Sequence, residues 1–384
     1  MTNKKKRIGI AIGIVAVLLL AAAAVLYVRY RIGRIDNDSL HVVILDSEGF
    51  YYSETGIEQG IQTAMEDIAD REQFPITYDL IEDDGSYVKG IAIAKQLAED
   101  PTVDAVITLQ NFDSIDAEMP YFEEAEKPFI VTMGCYDQVA EQGYDYLLAD
   151  FLSARLMGEK IGEMLVDLDA RNVALCHSDT MFERDTIRGI LSVLDRSPNC
   201  RVCYSETGPF NDTELSDMLT QYKLLGVDTV VANFYTQEDS EWLLKKLAQN
   251  MTGLVRVGDY VLDNSGVLKE YGSYLEGVYI VPNYPFAESE EMEDFKKRYE
   301  KRSHTDFTTT AIQYYDLFMM LSKCCEGRKV TGKQLMAGLK DEDGYQGVGG
   351  MLRYDENGRL LEEDCPVFRC HNSRFQVYNG GEEK

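Results

Sequence analysis

Only four histidines occur in the 384 residues, His41, His177, His304 and His371, and they are scattered. No HExxH pair is present, which excludes the common zinc-hydrolase helix. The sequence also lacks G-x-S-x-G and the G-x-x-x-x-G-K-[ST] loop, so neither a serine nucleophile elbow nor a phosphate cradle is readable. The run GVGG at 347–350 does not follow a strand and open a helix, so it is not a dinucleotide fingerprint. Asp83 and Asp84 are two adjacent carboxylates, but neighbouring side chains usually point apart. These absences argue against an enzyme and leave no cofactor and no metal to expect. Positive charge is scarce as well, with 38 Lys and Arg against 66 Asp and Glu and a net charge of −28. Nucleic acid and anionic lipid surfaces are therefore poor partners. No low-complexity linker divides the chain.

Acid is missing from the first 35 residues, which hold Lys4, Lys5, Lys6, Arg7, Arg29, Arg31 and Arg34. Within them, residues 8–28 are apolar and uncharged. A run of about 20 residues can cross a bilayer as a helix. Cleavable signal peptides have shorter apolar cores, although Ala21–Ala24 offers a small-residue cleavage site. The reading favours an uncleaved anchor at 8–28, with 1–7 cytoplasmic, 29–39 a tether, and the folded part outside the cell on a single membrane pass. No cysteine lies near the run, so the lipid acceptor of a bacterial lipoprotein is missing.

Eight cysteines follow: Cys135, Cys176, Cys200, Cys203, Cys324, Cys325, Cys365 and Cys370. An extracellular location permits disulfides, but their connectivity is not readable from sequence. Cys200 and Cys203 have metal or redox spacing, yet no second pair with nearby histidines completes a zinc site. Cys176 and Cys203 read as small buried hydrophobes in strands.

A chain of this length is expected to form two domains or lobes. Its organising stretch is 41–68. His41–Leu45 is apolar without alternation, which suits a strand buried on both faces of a parallel sheet. Asp46 to Ser53 is a loop containing Phe50, Tyr51 and Tyr52, aromatics that can wall a cleft. Ile57, Ile61, Ala64, Met65 and Ile68 then share one helical stripe, with Ser53 expected to cap the helix. Loops at the carboxyl ends of such strands are where α/β sheets bind ligands.

The βα rhythm continues. Strands are expected at 76–81, 103–108, 128–132 and 146–149, then at 172–177, 201–204, 228–232, 254–257 and 277–281, with helices between them. This gives two successive doubly wound parallel sheets. Helices at 290–302, 308–326 and 331–340 precede a β-rich tail. There, segments 351–354 and 367–369 are expected to form a hairpin turning at Asn357 and Gly358, and 375–378 a last strand.

Three stretches carry a family resemblance. They are Thr55-Gly56, Gly60 and Ala64 followed by Asp83-Asp84 and the VDAVIT strand; FKKRYEKRSHTDFTTTAIQYYDLFMMLSKCCE at 295–326; and YQGVGGMLRYDENG at 345–358. The last is similar to an ending of the form F-x-G-x-x-G-x-x-x-F-D-x-x-G. From about Leu40 to Tyr378 the chain resembles the type I periplasmic binding fold, in the leucine/isoleucine/valine-binding branch of ABC-transporter substrate-binding proteins. The resemblance implies a small polar ligand, an amino acid or related amine or amide, held between two closing lobes. It implies three crossings, near Ala149–Ser153, Tyr279–Tyr284 and Gly349–Tyr354. Lobe one would then be 40–149 and 285–348, and lobe two 150–284 and 349–384.

Residues just beyond the expected strand ends are the candidates for the cleft: Ser53, Asn111, Phe112, Cys135, Tyr136, Phe182, Phe234, Tyr235, Asp259 and Tyr260. Each is also readable as a surface-loop or packing residue. By the resemblance, 110–113 and 134–136 occupy the places that hold a ligand carboxylate, but with bulkier, less hydroxyl-rich residues. Asp259 matches an acidic residue that pairs with a ligand ammonium, and Phe234-Tyr235 an aromatic facing the ligand. The implied partner is an ABC permease. The alternative is a sensing ectodomain acting through a partner chain.

Overall fold

The computed structural model describes residues 37–47, 49–53, 56–109, 114–133, 137–305, 307–361 and 365–378. The apolar run at 8–28 lies outside them. Among the described residues no helix is long and apolar enough to cross a membrane.

The first sheet contains β1 (Leu40–Asp46), β2 (Ile76–Glu82), β3 (Ala105–Thr108), β4 (Phe129–Val131) and β5 (Leu147–Ala149) in the order β2-β1-β3-β4-β5. All its pairings are parallel. β1 is buried along nearly its whole length, as its unbroken apolar run requires when helices cover both faces. Helix Ile57–Asp70 packs against helix Thr309–Cys324.

The second sheet contains β6 (Asn172–His177), β7 (Arg201–Thr207), β8 (Thr229–Asn233), β9 (Val255–Val257) and β10 (Val278–Ile280) in the order β7-β6-β8-β9-β10. It repeats the first. The small strands β11 (Tyr345–Gln346) and β12 (Met351–Leu352) pair only with each other. β13 (Phe368–His371) and β14 (Arg374–Val377) extend the second sheet in antiparallel pairing beyond β10.

Two crossing segments meet where the Leu152 N–H donates to the Asn283 carbonyl at 2.8 Å. The tail corrects two expectations. Asn357 and Gly358 do form a turn, but its arms are Tyr354 and Leu360, which make an isolated antiparallel bridge. Asp355 organises the turn by accepting the Asn357 and Arg359 N–H groups, both at 2.9 Å. Phe368–His371 pairs instead with Arg374–Val377. The expected crossing at 349–354 is also displaced. The Val348 and Gly349 N–H groups donate to Asp316 of the Thr309–Cys324 helix at 2.8 and 2.9 Å. The Ala149 N–H donates to the Gly358 carbonyl at 2.7 Å. The chain therefore stays with the first sheet through Leu360 and reaches the second at Phe368. Hydrogen-bond partners distant in sequence decide this path.

The seven described cysteines are free thiols. Cys176 is buried in β6, its sulfur 3.0 Å from the Tyr222 hydroxyl, as its reading as a small hydrophobe implied. Cys203 is half-buried.

Candidate functional site

Each sheet has one point where the strand order reverses, between β1 and β3 in the first and between β6 and β8 in the second. Loops leaving neighbouring strands there diverge to opposite faces and open a crevice at the carboxyl edge.

At the first crevice, Asp46 ends β1 and accepts the N–H groups of Phe50 at 3.0 Å and Tyr51 at 2.9 Å. This folds 50–52 into a short 3-10 turn and drives Tyr51 inward, its hydroxyl 2.7 Å from that of Tyr78. Tyr52 is left 65% exposed. The Ser53 hydroxyl donates to the Phe50 carbonyl at 2.6 Å, so it closes this turn and does not cap the helix. The cap is Gly56, at φ 90°. A side chain there would also overlap the Tyr299 hydroxyl and Thr308. Thr132, just past β4, shares a 2.6 Å hydrogen bond with the Tyr314 hydroxyl. Asn111, Phe112, Cys135 and Tyr136 lie outside the described residues.

At the second crevice, Phe182 is in the first turn of helix Met181–Leu194 and is buried. Its ring meets Tyr260 edge-on with centroids 6.4 Å apart. Asp259, 6% exposed, caps the short turn Tyr260–Leu262 and accepts the Val261 N–H at a long 3.4 Å. Burial pushes its carboxyl up to about 7. Phe234 packs into the core against Phe210, centroids 6.0 Å apart. Tyr235 is 38% exposed, and its N–H donates to the Ser178 hydroxyl at 3.0 Å. The structure thus brings Phe182, Asp259 and Tyr260 together. Phe234 is in the core, and Tyr235, partly exposed, is near enough to raise the Tyr260 hydroxyl.

Four participants were missed in the sequence. Glu183, 2% exposed, accepts a hydrogen bond from the Thr180 hydroxyl. Burial, and then the charge of Asp259, push it up to about 8. Its only sequence signal is an acid next to Phe182 in the first turn of a helix that follows a strand. Thr132 and Tyr314 were missed because their contact is made only in three dimensions. Burial raises the Tyr314 hydroxyl, and Asp150, Asp46 and Tyr260 are near enough to raise it further. Tyr260 of the second half therefore lies within electrostatic range of Tyr314 of the first. The fourth is Asp263, whose carboxylate accepts both the Thr309 N–H and hydroxyl at 2.8 Å. It sits on the N-terminus of a first-half helix, and burial pushes it up to about 6. Beside it is a cavity of about 570 Å³ whose lining includes Phe286, Phe307, Phe368 and Lys296.

Known proteins share this fold. Residues 42–374 match the family described as periplasmic binding protein. A substrate-binding protein of an ABC transporter from Desulfitobacterium hafniense, solved with leucine, superposes with a TM-score of 0.75 at 16% identity, covering 88% of this chain and all of that one. LivJ from Streptococcus pneumoniae, a branched-chain amino acid binding protein solved with isoleucine, gives 0.74 at 16% identity, covering 88% of this chain and 98% of its own. A solute-binding protein from R. palustris, in complex with benzoate, gives 0.73 at 16% identity, covering 88% and 95%. No curated protein matches the chain. With its family match running from β1 into β14, this chain belongs to the periplasmic binding protein family.

Proposed function

We propose that this chain is a membrane-tethered extracellular solute-binding protein that captures a small polar, amine-bearing ligand between its lobes and delivers it to an ABC permease. One observation carries the ligand class. Asp259 is a buried carboxyl at the carboxyl edge of the second sheet, with no cation in hydrogen-bond or ion-pair contact among the described residues. An amine entering the crevice would supply that cation through a charge-assisted hydrogen bond. Phe182 and Tyr260 offer ring faces and edges for an apolar part of the ligand. The lobes are taken as 40–149 with 285–348, and 150–284 with the tail from about 365. The 358–360 segment is added to the edge of the first.

Similar structures were solved with leucine, isoleucine and benzoate, so the fold itself does not choose the ligand. The apolar run without a lipid-acceptor cysteine also supports a sensing ectodomain that acts through a membrane partner. Native mass spectrometry of the purified protein tests the binding claim. A retained small amine is the expected result. Retention of an acid without an amino group would overturn the ligand class.

A further inference from the structure

We propose that Tyr354 and Asp150 form a latch that fastens the tail to the first crossing segment and so sets where the halves bend. Residues 149–152 stay with the first half, and bending begins at Ser153. This rests on the lobes closing as proposed above.

β5 ends at Ala149, and Ser153 caps helix Ala154–Asp167, its hydroxyl accepting the Leu156 N–H at 3.3 Å. Asp150, Phe151 and Leu152 lie between them, all buried. First-half elements grip this stretch. The Asp150 N–H donates to the Val131 carbonyl of β4 at 2.8 Å. Gln313 of helix Thr309–Cys324 donates through Nε2 to the Asp150 carbonyl and, at 3.0 Å, to the Thr132 carbonyl. The tail then closes over the same residues. The Tyr354 hydroxyl donates to Asp150 Oδ1 across 204 positions of sequence. The Ala149 carbonyl accepts the Leu360 N–H at 3.2 Å, beside the bond from the Ala149 N–H to Gly358. The tail is itself anchored, since Val348 and Gly349 donate to Asp316 on the helix that carries Gln313. Asp150 is fully buried, so breaking its bond to Tyr354 leaves polar groups unpaired away from water. Bending within 149–152 would break several of these bonds. Bending at Ser153 leaves them intact, and residues at the ends of elements are where hinges absorb backbone change.

Amide hydrogen exchange and small-angle scattering of the full chain, without added ligand, test this. Tyr354→Phe removes one hydroxyl and keeps the ring. In that variant the amides of Ala149, Asp150 and Leu152 should exchange roughly fivefold to a hundredfold faster, while those of β6 do not change. Its radius of gyration should exceed that of the wild type, because the first crossing can then bend at more than one place. Asp150→Asn keeps an acceptor oxygen for Tyr354 and should behave as wild type, whereas Asp150→Ala should match Tyr354→Phe. If Asp150→Ala folds poorly, Tyr354→Phe alone decides. Unchanged exchange at 149–152, an equal acceleration in β6, or a wild-type radius of gyration in Tyr354→Phe overturns the latch. Neither measurement uses a ligand, so that failure is distinct from a failure of lobe closure, which scattering of the ligand-saturated protein reads.

Discussion

Asp259 carries the ligand claim at the scale of single residues. Asp259→Asn keeps the shape and removes the charge. It should weaken binding of an amine ligand roughly tenfold to a hundredfold, with the melting temperature unchanged or raised. An unchanged dissociation constant with a lowered melting temperature would show that Asp259 only caps its turn. The buried acids also predict a pH dependence. Burial raises Glu118 and Glu183 to about 8, Asp259 and Asp316 to about 7, and Asp263 to about 6. An unfolded carboxyl titrates near about 4. Between that value and about 8 the folded chain therefore holds more protons than the unfolded one. Stability of the empty protein is then greatest at low pH and falls as pH rises through these values. Denaturant unfolding at pH 5 and pH 8 checks the sign, and Glu118→Gln should flatten the slope. A stability that rose over this range would contradict the burial of these groups. Asp259 was legible in the sequence because it follows an apolar strand. Glu183 was not, because its neighbour in space comes from another βα unit.

Among elements, two contacts were invisible in the pattern of apolar residues. Helices Ala154–Asp167 and Met181–Leu194 approach so closely that a Cβ at Gly158 would overlap the Thr186 carbonyl. Gly158→Ala should therefore destabilise by about 1–3 kcal/mol, the usual cost of overpacking. Urea unfolding measures it, and a neutral result would mean the helices separate freely. The second contact is Asp263 on the N-terminus of helix Thr309–Cys324. Thr308 already caps that helix locally, so Asp263 adds a tie between the halves. Asp263→Asn should leave the helix intact and loosen the lobes, which proteolysis of the empty protein would report as faster cleavage. The buried strands were legible within about two residues, because runs such as Val42–Leu45 are buried on both faces, whereas the exposed end of β7 runs to Thr207, three residues past its expected end. The tail was not. Its turn at Asn357 and Gly358 follows from local chemistry, but the partners of its strands are set by β5 and β10, far away in sequence.

The whole molecule repeats one topology twice, with the strand order reversing at β1/β3 and again at β6/β8. The βα rhythm announced two such sheets, and short connections between them suit hinge motion. How the sheets approach each other was not legible, since the tie of Asp263 to Thr309 joins the halves through residues far apart in sequence. That tie joins the two α/β units, between which we propose that the ligand is captured by closure. Small-angle scattering of the protein, empty and saturated with a compound whose binding is established by calorimetry, tests that closure most directly. The expected result is a smaller radius of gyration in the saturated sample, with Asp263→Asn more expanded than wild type when empty. An identical radius with and without bound compound would contradict capture between closing lobes.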